Sequence, residues 1–444
     1  MTRRQFAVSA CAGTCALPTS GAALDLAGLP NFCSHEHWGS IDSIGVVPEG
    51  FRADVERGAT PRRRTGILDL LLEPYLTDLL SDAAGKIDKD ALRKRSAWEA
   101  LETLRPALQP QEFSGTFQCT RRGLLDLYGV DLWDLNRGAC AQLDDAISRN
   151  YAHHFEWYRT VMRKAGFSRL IRPVHPEFYA RQESPESARQ ETSFTQTVMR
   201  IDPLLDLWPR ASARRGSLAA IAGVEPVDAK TWRAFLGNLF DLAARNGALG
   251  TKQLQAYGRD LDFVPREDSE VVWSGDLTPP QVRVLQDWVV HECSKQAHDR
   301  GWPHQVHVGT HNLTQSSPMP LAALGQRYPR MKIVMIHCWP FLKEAGWLAK
   351  YHSNLYIDTC WQPVLNPEFL RDAMRLWLNY VPTNKITCGH DSTTIEMAAG
   401  SALFTREILA QTIPDWAGEK RRRQLAADLL HKNAMAIYGV GQGR

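Results

Sequence analysis

Several things are missing from this chain, and each absence narrows the reading. No run of apolar residues is long enough to cross a bilayer as a helix. Charge of neither sign is in excess: 52 Lys and Arg face 49 Asp and Glu, a net +3, so neither nucleic acid nor an acidic membrane surface is expected as a partner. Glycine-rich phosphate loops are absent, in both the Gly-x-Gly-x-x-Gly and the Walker form, which argues against an open doubly wound nucleotide-binding sheet. Paired cysteines are absent too. Of nine cysteines, Cys11 and Cys15 fall in the N-terminal stretch, and the other seven form no Cys-x-x-Cys. A disulfide framework or thiolate zinc site is therefore not expected. Cys33, Cys338, Cys360 and Cys388 lie in apolar runs that read as strands, where a thiol is a small core residue.

The 444 residues carry ample apolar material for a large core. Residues 1–23 read as a leader. Thr2-Arg3-Arg4-Gln5-Phe6 precedes a weakly apolar stretch from Ala7 to Leu17, and small residues follow from Ser20 to Ala23. This resembles a twin-arginine export signal and predicts a periplasmic protein, or a cytoplasmic one if the two arginines are incidental.

Beyond the leader, a short apolar run ends in Cys33-Ser34-His35-Glu36-His37. In a strand, residues i and i+2 point to one side, so both imidazoles would aim at one point, as a metal site requires. Residues 46–150 read as a helical insertion. Strand and helix then alternate: strands are predicted over 167–174, 194–201, 248–254, 304–308, 332–337, 354–358 and 385–391, with a helix over 151–166 and a helical tail over 402–437. With the opening strand this makes eight βα units. The expected fold is α/β, a (β/α)8 TIM barrel over residues 24–444 with an insertion after strand 1.

Polar residues recur at the C-terminal ends of these strands: His35 and His37 on the first, Lys252 on the fourth, His307 on the fifth, His337 on the sixth and Asp391 on the eighth. In a barrel those ends converge on one mouth, where active sites form. The set resembles the amidohydrolase superfamily, whose pattern is His-x-His, often a lysine, then His, His and Asp on those strands. Gln305-Val306-His307-Val308-Gly309-Thr310, Ile336-His337-Cys338-Trp339-Pro340 and Gly389-His390-Asp391-Ser392 carry the likeness. The closing Asn433-Ala434-Met435-Ala436-Ile437-Tyr438-Gly439 is similar to the family's last helix.

The resemblance implies a divalent metal, Zn²⁺ foremost, held by His35, His37, His307 and Asp391. Asp391 would shuttle the water proton and His337 would polarise a carbonyl oxygen or stabilise the developing anion. Lys252 would stay free for a substrate carboxylate at a one-metal site, or be carboxylated and bridge two metals. Arg172, Tyr257 and Trp339 are further substrate-binding candidates, and Trp361 joins Trp339 as an aromatic wall. The expected activity is hydrolysis of an amide, lactone or ester bond in a small molecule. The alternatives are a non-oxidative decarboxylase, a uronate-isomerase-like enzyme, or a periplasmic binding barrel without catalysis. Homo-oligomers are common in such a family.

Overall fold

The computed structural model describes residues 24–38, 65–78, 87–181 and 193–441. The leader and part of the insertion therefore lie outside the described residues. Eight strands form one sheet in the order β1 to β8, each parallel to its neighbour. They are β1 (Asn31–Cys33), β2 (Phe167–Val174), β3 (Thr195–Arg200), β4 (Ala248–Gln253), β5 (Pro303–Val308), β6 (Lys332–His337), β7 (Leu355–Asp358) and β8 (Ile386–Thr387). The helices used below are α1 (Ile67–Leu71), α2 (Ala97–Leu108), α3 (Gly115–Tyr128), α4 (Arg137–Ala152), α5 (His154–Ala165), α6 (Ala229–Arg245), α7 (Pro279–Arg300), α8 (Ile395–Thr412) and α9 (Asn433–Tyr438).

The local chemistry explains these elements. β6 is a continuous apolar run, Ile333-Val334-Met335-Ile336, buried on both faces as parallel strands under helices are. Asp228 caps α6 by accepting from the Thr231 amide at 2.8 Å. α7 starts on prolines and stops at Gly301, whose φ of +63° suits a residue without Cβ. Inward side chains Phe32, Ile171, Val198, Val334 and Ile336 fill the barrel, and Ile437 and Tyr438 of α9 close its floor.

The sheet is bent round on itself, and its seam is joined beyond the last paired residues. The Asp391 amide donates to the His35 carbonyl at 3.0 Å, and the His37 amide to the Ser392 carbonyl at 3.1 Å. The TIM-barrel architecture is thus as expected, but β8 is only two residues long. Cys388 to Asp391, read as strand, leave the ladder to make the seam contacts instead. Cys338, Cys360 and Cys388 likewise lie just past strands, although all seven described cysteines are buried thiols. The helix predicted over 151–166 is α5, which starts at His154 after α4 ends at Ala152, and the predicted single tail breaks into α8, a helix at Glu419–Ala427 and α9.

The insertion forms a second core. Leu70, Leu71, Leu101, Leu104, Phe117, Leu124 and Tyr158 pack with Ile395, Ala398 and Ala402 of α8. The α3–α8 crossing is close because glycine faces backbone on both sides. A Cβ on Gly123 would stand 1.8 Å from the Glu396 carbonyl oxygen, and one on Gly400 would stand 1.9 Å from that of Cys119. The insertion therefore docks against the helix that follows Asp391.

Candidate active site

Five non-glycine residues carry positive φ among the described residues: Thr310, His337, Cys338, Trp361 and Asp391, at +56° to +70°. All sit at or just after the C-terminal ends of β5, β6, β7 or β8. Strain of this kind is costly and gathers where side chains must be aimed.

Two of the predicted ligands, His35 and His37, come together around Asp391 with His337, whose expected role is catalytic. His35 Nε2 lies 3.6 Å from its Oδ2, His37 Nε2 3.2 Å from its Oδ1, and His337 Nε2 3.5 Å from its Oδ2. Ligand atoms of His35, His37 and Asp391 all lie within 4.8 Å of one another, and so do those of His337, Cys360 and Asp391. His307 is adjacent, its ring centroid 4.5 Å from that of His337, but it belongs to neither tight group.

Hydrogen bonding fixes which nitrogens carry protons. Gln305 Nε2 donates to the Ser34 carbonyl at 2.8 Å and to the Tyr438 hydroxyl at 2.7 Å, so its Oε1 accepts from His35 Nδ1 at 2.7 Å. His35 Nε2 is left as a bare lone pair, buried and without a hydrogen-bond partner. His337 Nδ1 donates to the Cys360 carbonyl at 3.0 Å, which leaves Nε2 bare. His307 Nε2 donates toward the Gly309 carbonyl at 3.2 Å, which leaves Nδ1 buried and unpartnered. Burial lowers the affinity of all three rings for a proton: His337 falls to about 4, and His35 and His307 lie well below their usual value. Burial opposes ionisation of Asp391, but His35, His37 and His337 outweigh it and hold the carboxyl well below its usual range. The bare lone pairs of His35 and His337 thus face the Asp391 carboxylate with no proton between them. That donor set fits a divalent cation, and the groups behind the ligands orient them as they do in metal sites.

A satisfied network backs this wall. Glu36, fully buried between the two histidines, accepts from the Ser392 amide at 2.8 Å and the His37 amide at 3.3 Å. Asp358 accepts from the Cys360 amide at 2.8 Å, the Gly389 amide at 3.0 Å, and the Thr387 and Ser34 hydroxyls.

The insertion also reaches the site, through residues that sequence reasoning did not single out. The Tyr75 hydroxyl donates to Asp391 Oδ1 at 2.8 Å, and its ring lies 5.0 Å from that of Trp361. Glu73, its carboxyl raised by burial to about 7, accepts from the Tyr75 amide and the Thr393 hydroxyl. Only the apolar run around Ile67 hinted at a buried segment here. Trp361 stands 5.2 Å from His337 and 5.1 Å from His311.

Of the substrate-binding candidates, Lys252 points inward, 1% exposed, with an ammonium lowered to about 8 by burial and by Arg200. Tyr257 stands at the mouth with its ring 4.5 Å from that of His307. Two candidates do not face the site. Arg172 alternates with the inward Ile171 and shares the outer side of β2 with Leu170 and Val174, its guanidinium 5.7 Å from the Phe178 ring. Trp339 turns out to the rim and stacks on Phe369 at 4.1 Å.

The family model for amidohydrolases matches residues 199–440, more than half of the chain, and the chain belongs to this family. Protein fluG of Emericella nidulans is 24% identical over 246 residues, which cover 48% of this chain and 28% of that protein. The chain therefore spans less than a third of the length of the curated relative it matches. Among solved structures, glucuronate isomerase from Caulobacter crescentus has a TM-score of 0.69 at 17% identity, covering 94% of this chain and 92% of that one. A uronate isomerase from Bacillus halodurans scores 0.65 at 17% identity, covering 93% and 94%. A protein described as a metal-dependent hydrolase from Lactobacillus casei scores 0.62 at 15% identity, covering 94% and 96%. These likenesses establish the fold; the family match places the chain among the amidohydrolases.

Proposed function

We propose that the protein is a hydrolase that attacks an amide, lactone or ester bond of a small molecule. The observation that carries this reading is the carboxylate of Asp391, ionised and buried, with His37 Nε2 at 3.2 Å and the bare Nε2 atoms of His35 and His337 at 3.6 and 3.5 Å. His35, His37, His307 and Asp391 would hold the cation, with His337 beside them. When bound, a divalent ion such as zinc supplies Lewis acidity.

The chain's own groups do the rest. Asp391 Oδ2 receives no hydrogen bond among the described residues, so it can take the proton of an attacking water and return it to the leaving group. The Tyr75 hydroxyl occupies Oδ1 and holds the carboxylate in place. Neutral His337 presents a lone pair, not an N–H, and so serves as a ligand or proton acceptor; polarising a carbonyl would require its protonated form. Trp361 and Tyr257 wall the mouth with apolar surface that excludes water. Export through the leader to the periplasm is part of this proposal.

A second reading is aldose–ketose isomerisation of a sugar acid. It is favoured by the uronate isomerase likeness, which spans the barrel and the helical insertion together. Turnover of a panel of amides, lactones, esters and uronates in H₂¹⁸O separates the two. The proposal expects one ¹⁸O in the product acid and loss of turnover after chelation. Uronate interconversion with no amide, ester or lactone bond hydrolysed would replace it by the second reading.

A further inference from the structure

The wall opposite Asp391 contains a buried cation, Lys252, that no described carboxylate touches, although Asp202 and Asp391 act on it at longer range. Lys252 pairs in register with Gln305 of β5, whose side chain holds His35, so both point into the barrel. Its ammonium is buried, and neither a hydrogen bond nor an ion pair joins it to any described residue. It is close enough to disfavour protonation of His35, His307 and His337. Arg200 of β3 is its register partner and also faces inward. Asp202 takes Nε and Nη2 of Arg200, at 3.2 and 2.5 Å, which leaves Nη1 unused. At the end of β2, His175 Nε2 is buried without a partner. Arg214 is matched by Glu177 at 2.9 Å, whereas Lys252 has no described carboxylate in direct contact. An unpaired buried charge is costly unless a ligand completes it.

We propose that Lys252 and the free edge of Arg200 form a receptor for a carboxylate carried by the substrate, set across the mouth from the bond that reacts. The inference rests on the functional reading above and narrows it to carboxylate-bearing amides, esters or lactones. A carboxylated Lys252 would be an anion and could not play this part.

Succinate is the probe, titrated calorimetrically into metal-loaded wild type, Lys252→Met, Lys252→Arg and Arg200→Met, with metal content measured on each. The expectation is that Lys252→Met and Arg200→Met weaken succinate about tenfold or more at unchanged metal content, while Lys252→Arg stays within a few-fold of wild type. Failure of succinate to bind wild type, equal binding by both methionine variants, or loss of metal in Lys252→Met would each overturn the proposal. Because the readout is binding, failure of every hydrolysis assay would sink the hydrolase reading and leave this result standing.

Discussion

The two walls of the barrel mouth are built to opposite rules. On the β8–β1 wall the charged groups behind the site are satisfied: Glu36 and Asp358 collect amides and hydroxyls, and Gln305 fixes the His35 ring from behind. On the β3–β4 wall Lys252 has no described carboxylate in direct contact, Arg200 keeps an unused edge and His175 Nε2 is bare. A metal-holding wall must be rigid before anything binds, because ligands placed loosely lose affinity to reorganisation. A substrate-holding wall must leave hydrogen-bonding capacity for what arrives. The difference locates the reacting centre on one side and recognition on the other.

The largest effect should come from the seam. Asp391→Asn removes the one negative charge facing the imidazoles, so metal should fall from one per chain to near none, and turnover should drop on the order of 10³-fold or more. Emission spectroscopy and steady-state rates read this; a fully metallated, active variant would break the comparison. Behind the ligands, Gln305→Leu frees the His35 tautomer, and metal affinity should weaken about 10–100-fold in a competitive chelator titration. An unchanged affinity would mean that the backing network is packing alone.

The smallest effect is one of pH. Burial lowers His390, bonded to Asn31 at 2.7 Å and Ser401 at 2.9 Å, to about 3. Between its ordinary 6.5 and about 3, the unfolded chain binds a proton that the folded chain refuses, so stability falls as pH falls. From pH 7 to pH 5, wild type should lose about 2 kcal/mol more than His390→Asn in urea unfolding. Parallel pH profiles would show that His390 contributes nothing to the slope.

Much of this could be read in the chain. The His-x-His parity, the alternation of strands and helices, and polar residues at strand ends led to the barrel and to His35, His37, His337 and Asp391 around one point. The errors have a common cause. Arg172 sits in a strand buried on both faces, where flanking residues on either side are apolar and nothing in the pattern says which parity faces inward. Arg200 was missed for the same reason, and a register irregularity between β3 and β4 further shifts the phase. Trp339 and Trp361 follow neighbouring strands with equal promise, and only loop geometry separates the one on the rim from the one at the site. Tyr75 comes from the insertion, outside the motifs that carry the resemblance, and the family model itself begins at residue 199, past both His-x-His and the insertion.

What the sequence determined by itself is the donor chemistry and its order along strands, since side-chain type and period 2 or 3.6 are local properties. Tertiary structure decided what depends on contacts distant in the chain. It set which nitrogen of each histidine is bare, because that follows from acceptors such as Gln305 and the Cys360 carbonyl. It also brought Tyr75 to Asp391 across 316 residues, and it left Lys252 without a described carboxylate in direct contact, because burial and pairing exist only once the walls have closed.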